Sequence, residues 1–77
     1  MNKARRSTIE TILETLNGLR DQIEGLKDEE QEAYDNTPEG LQNSERGQGM
    51  EQAISSLEEA QDYVDSAISS LEEAAQV

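Results

Sequence analysis

The sequence predicts an all-α protein: an antiparallel two-helix hairpin, coiled-coil-like, that dimerises into a four-helix bundle. Three observations carry that expectation. The octapeptide AISSLEEA at 53–60 returns unchanged at 67–74, two heptads later, so both copies present one face of a single helix. Earlier in the chain Ile9, Ile12, Leu16, Leu19, Ile23 and Leu26 alternate at spacings of three and four. Between the two stretches, Asn36-Thr37-Pro38 and the glycines at 40, 47 and 49 break the pattern once.

The first helix is expected over about 7–34, after a flexible basic tip at 1–6 that holds Lys3, Arg5 and Arg6. Ser7 or Thr8 is placed to cap it, with Glu10 and Glu14 near the positive end of its dipole. In heptad terms Ile9, Leu16 and Ile23 fall at a, and Ile12, Leu19 and Leu26 at d, with Leu13 widening the stripe at e. Gly18 and Gly25 share the c row. Each weakens a helix interior by about 1 kcal/mol relative to Ala, which leaves two readings, a strip for close approach of another backbone or a tolerated solvated flank.

A connector follows at 35–43. The residue before a proline is pushed out of the α region, while proline suits the first turn of a new helix, so Thr37-Pro38 stops one helix and starts another. One short turn from Pro38 to about Asn43 is expected, with Leu41 as its apolar anchor.

The second long helix is expected over about 44–75, all within a single 7–77 hairpin domain. Its seam residues are Ile54, Leu57, Val64, Ile68 and Leu71, with Gln61 as the one polar break in the 54, 61, 68 row. Gln61 reads either as a register-fixing polar residue inside the seam or as a seam-edge side chain reaching water. Beside them runs Ala53, Ala60, Ala67, Ala74, a row that lets a neighbouring helix come close. Ala60 and Ala67 are therefore assigned to the seam between copies.

Composition narrows the chemistry. A chain of 77 residues draws only ~3–5 kcal/mol from one core, and with no Cys and no His neither a disulfide nor the usual zinc-type site supplements it. A homodimer is the expected supplement. No GxSxG, Walker A, GxGxxG or EF-hand pattern occurs, and without His a neutral-pH general base would need a buried carboxylate. The expectation is a non-enzyme without cofactor or metal. No apolar run reaches the ~18 residues of a membrane span, and the basic tip lacks a following apolar region, so a cytoplasmic location without membrane association is expected.

What remains is charge. Eighteen acidic residues against six basic ones give a net −12, which repels nucleic acid and attracts basic protein surfaces. Glu14, Asp21, Asp28 and Asp35 stand seven apart on the first helix, at its outermost f positions. Glu51, Glu58, Asp65 and Glu72 form a second such row, and Glu59, Asp62 and Glu73 add to it. These eleven carboxylates are the candidate partner-binding residues. Rows of carboxylates are also what a solvated heptad face ordinarily carries.

At DEEQEAYDNTPEGLQNSERG, followed by the LEEA repeats, the chain resembles small, acidic, mostly helical proteins encoded by phages and prophages of Gram-positive bacteria. The likeness covers most of 20–75 and rests chiefly on the YDNTPEGLQNSERG string. It implies no catalytic residue. It does imply action in the cytoplasm of a bacterial host, and by analogy an inhibitor that occupies the nucleic-acid-binding surface of a host defence or DNA/RNA-handling protein. The competing expectation is a structural or regulatory coiled-coil subunit that binds a partner helix.

Overall fold

A computed structural model describes residues 1–77 as three helices, α1 (Lys3–Asp35), α2 (Glu39–Gln42) and α3 (Glu45–Ala75). The long helices α1 and α3 pack against each other as a hairpin. The result is a rod of 58 × 15 × 12 Å. Its radius of gyration of 17.4 Å far exceeds the ~11–12 Å of a compact chain this long. Only Ile9, Ile54 and Ile68, each 8% exposed, and Gly47 are buried, so the hydrophobic core is one thin seam.

α1 begins earlier than the Ser7/Thr8 cap predicts. Asn2 is the cap, its side chain accepting from the Arg5 amide at 2.8 Å, and the basic tip is the helix's first turn. Thr8, Thr11 and Thr15 instead donate back to the carbonyls four residues before them, which satisfies their hydroxyls inside the helix. Three cations at a helix N-terminus oppose its dipole, but the antiparallel fold brings the C-terminal end of α3 alongside. The Met1 ammonium and Arg6 Nη2 both donate to the Val77 carbonyl, the latter at 3.3 Å.

The seam on α1 is rotated from the expected one. Its least exposed side chains are Ile9, Leu13, Leu16, Arg20, Ile23, Lys27, Glu30 and Tyr34, the a and e positions. The predicted d residues Ile12, Leu19 and Leu26 stand outside it, 41%, 44% and 54% exposed. The reason lies in the long stems of Arg20 and Lys27, which cover apolar surface while their charged ends reach polar partners. The a/e face is therefore apolar in its atoms although two of its residues are charged.

α3 keeps the expected face. Ile54, Leu57, Gln61, Val64, Ile68 and Leu71 all turn toward α1, joined by Met50 and Ala75, while the buried Gly47 lies against Gln42 of α2. Gln61 is half-buried and accepts from Lys27 Nζ at 3.5 Å, a polar layer within the seam. In the alanine row Ala53, Ala60 and Ala74 are half-buried, whereas Ala67, assigned to the seam, is exposed. The row lies at the g positions of α3, about a quarter-turn from the centre of its packed face.

The connector is fastened by polar contacts rather than by Leu41, which is 56% exposed and anchors nothing. Thr37 Oγ1 donates to the Ala33 carbonyl at 2.9 Å, closing α1. Pro38, at φ −54° and ψ 139°, turns the chain into α2. Gln42 Nε2 then donates to the carbonyls of Tyr34 (3.3 Å) and Thr37 (3.1 Å), tying α2 back to the end of α1. Ser44 caps α3 by accepting from the Gly47 amide at 3.3 Å. Gly47 has to be glycine: a Cβ there would stand 2.1 Å from the Gln42 carbonyl oxygen. Gly18 and Gly25 have nothing within 4 Å of a built Cβ, so no close approach within the hairpin demands either.

Candidate functional site

Contacts across the seam fix which flanks of the helices meet. Arg20 Nη1 lies 3.4 Å from Asp65 Oδ1, and the Tyr34 hydroxyl donates to Glu51. Both contacts join the e positions of α1 to the row Glu51, Glu58, Asp65, Glu72 of α3. That row is therefore at the edge of the seam and not at the outermost position of its helix, as the even spacing of seven had suggested. Two of its four members already have partners within the hairpin.

All eleven candidate carboxylates are exposed. They are not brought to one spot. Glu14, Asp21, Asp28 and Asp35 line the outer back of α1, while Glu59, Asp62 and Glu73 line that of α3. Between them, on the side where the e positions meet, runs the Glu51–Glu72 row. Acidic side chains thus cover three sides of the rod. Nowhere do three carboxylates converge on a site that would hold a metal ion. A shallow depression bordered by Gln31, Tyr34, Glu51, Ile54, Ser55 and Glu58 is the one concavity, and it opens broadly to solvent.

The Tyr34 phenol in this depression is raised above its ordinary pKa. The largest cause is the proton it donates to Glu51, followed by partial desolvation and the negative charges of Glu51 and Asp35. It is a structural clasp at the connector end of the seam.

The fourth side of the rod is different in kind. It carries the d and g positions of α1 and the g and c positions of α3, and the c row on the back of α1 borders it. From Thr8 to Leu26 those positions of α1 are Thr8, Thr11, Ile12, Thr15, Gly18, Leu19, Gln22, Gly25 and Leu26. From Gly49 to Ala74 those of α3 are Gly49, Ala53, Ser56, Ala60, Tyr63, Ala67, Ser70 and Ala74, with Arg46 ending the g row at the connector. None of the seventeen is charged, where the chain's average of 31% would give about five. The register set by Arg20–Asp65 and Tyr34–Glu51 places Leu26 about level with Ala60, Leu19 with Ala67 and Ile12 with Ala74. Three large aliphatic side chains and a row of alanines therefore form one neutral strip along the rod.

Sequence reasoning named two parts of this strip, the Gly18/Gly25 row and the alanine row, as places where another helix could approach, but it assigned Ile12, Leu19 and Leu26 to the hairpin seam and so did not join the parts into one face. Its signal was present in the sequence, in the g and c rows of both heptads, which hold no charge over most of their length. No protein-family model, curated protein or solved structure matches the chain.

Proposed function

We propose that the chain is a non-enzymatic, acidic protein-binding module. It occupies the basic, nucleic-acid-binding surface of a defence or DNA/RNA-handling protein, in the bacterial setting that the phage-like string at 34–47 implies. The carrying observation is the distribution of charge: exposed carboxylates wrap three sides of a straight rod, while Arg20 and Lys27 are folded down into the seam. A rod is the shape of a nucleic-acid duplex segment, and a basic groove evolved for phosphates accepts carboxylates by the same long-range field.

Charge density decides what form acts. A net −12 over 58 Å is one charge per ~4.8 Å, against one per ~1.7 Å of duplex axis. One hairpin is too sparse a substitute. Two side by side reach one per ~2.4 Å, close enough to compete, so the acting species in this reading is a dimer with four helices in its bundle.

A second reading is favoured by the neutral strip: a coiled-coil subunit whose partner is another helix. The two are separated by immobilising the chain, capturing proteins from a bacterial lysate at ~0.15 M salt and washing with duplex DNA. The first reading expects the captured protein to be a nucleic-acid binder that the DNA releases. Retention of a helical partner regardless of DNA contradicts it.

A further inference from the structure

We infer that the neutral strip is a self-complementary interface that seats a second copy of this chain, with α1 running antiparallel to α1 of that copy. The inference rests on the dimeric form of the reading above and specifies its face and register.

Two features of the strip choose a second copy as occupant. The first is the placement of repulsion. A chain at −12 can approach its own copy only through a side without charge, and this is the one such side; pairing through it keeps the acidic rows on the outside of both copies.

The second is complementarity under a two-fold axis. In the d/g rows of α1 the strip is bounded by Arg5 at one end and Glu29 at the other. Turning a second α1 end for end about an axis near Asn17 sets Arg5 against Glu29 of the second copy, once at each end. The same turn sets Thr8 against Leu26, Ile12 against Gln22 and Thr15 against Leu19. Each layer then joins a d residue to a g residue, the alternation by which antiparallel helices interdigitate, and each large aliphatic meets a smaller or flexible partner. The patch is its own complement, as a two-fold interface requires.

Sedimentation equilibrium on the purified chain, with no other protein present, tests this. The expected mass is 17 kDa, twice the chain's 8.5 kDa, and a monomer at ~100 µM overturns the inference. Leu19→Glu should weaken dimerisation at least ~10-fold, since it buries a charge at a shared layer. Glu58→Lys, on the acidic side, should leave the dimer intact; equal sensitivity of the two contradicts the assigned face. Arg5→Glu should weaken the dimer several-fold, and adding Glu29→Arg should restore it.

Should Leu19→Glu fail to fold, cysteine pairing decides, because the chain has no native Cys. Mixed under oxidising conditions, Thr8→Cys and Leu26→Cys chains should form the heterodisulfide, while each alone stays reduced. Efficient homodisulfides from either chain alone overturn the antiparallel register. A dimer formed through another face overturns this inference alone and leaves the acidic-surface reading standing, whereas a monomer removes the dimeric form on which that reading rests.

Discussion

Lys27 Nζ lies 3.5 Å from Gln61 Oε1 in the half-buried centre of the seam, so the one polar break in the α3 row is answered by a base from the rotated α1 face. This contact is long and neutral on one side, and it contributes little beyond register. Gln61→Ile would complete the Ile54–Ile68 row and leave the Lys27 amine free to reach water. The expected outcome is a stabilisation of about 1 kcal/mol, read as a rise of roughly 4–8 °C in Tm by circular dichroism. A fall of similar size would show that the polar layer holds the two helices in place.

The glycines separate into opposite classes. At Gly47 a methyl group collides with the Gln42 backbone, which is held by two hydrogen bonds from its own side chain to the end of α1. Gly47→Ala should destabilise by about 1–3 kcal/mol. At Gly18 and Gly25 the space is open, so Ala there should stabilise the helix by up to about 1 kcal/mol each. Urea unfolding of the three variants checks both signs.

Tyr34 makes the stability of the hairpin dependent on alkaline pH. Its folded pKa is raised, first by the hydrogen bond to Glu51, so its contribution is fully present below the ordinary tyrosine value and is lost as pH rises through the folded one. Tyr34→Phe removes this dependence. The gap between the urea midpoints of wild type and variant should hold steady up to about pH 9 and narrow above about pH 10. A gap unchanged through that range would contradict the Tyr34–Glu51 clasp.

Much of the fold was legible in the sequence because it rests on period and punctuation. The octapeptide repeat marked the packed face of α3, Ser44 marked its start, and Asn36-Thr37-Pro38 marked the reversal. The α1 face was misread because its pattern offered two solutions, a/d and a/e. Counting residue types favours Leu19 and Leu26, whereas the hairpin uses Arg20 and Lys27, whose stems are apolar and whose ends find Asp65 and Gln61. Residues 1–6 were read as a flexible tip with the cap at Ser7 or Thr8, whereas Asn2 is the cap; what relieves the three cations that follow it is the end of α3, a tertiary contact beyond any local signal. Leu41 was named an anchor on hydrophobicity alone; Gln42 does that work through two backbone carbonyls.

For the candidate site, the identity and exposure of the eleven carboxylates were legible, but not their neighbours. Asp65 pairs with Arg20 and Glu51 accepts from Tyr34, so reversing either charge would damage the hairpin before it tested binding. Glu58, Glu72 and Glu73 are exposed, and no side chain of the hairpin pairs with them, which makes them the suitable positions for charge reversal.

The most direct measurement is the dissociation constant for the captured partner, taken from about 50 to about 200 mM salt, for wild type and for the Glu58→Lys, Glu72→Lys, Glu73→Lys variant. A carboxylate-faced rod predicts wild-type binding that weakens at least ~10-fold over that range, and at least ~10-fold weaker binding by the triple variant at low salt, with helicity and dimer mass unchanged. Affinity that is flat with salt and indifferent to the three reversals would contradict it.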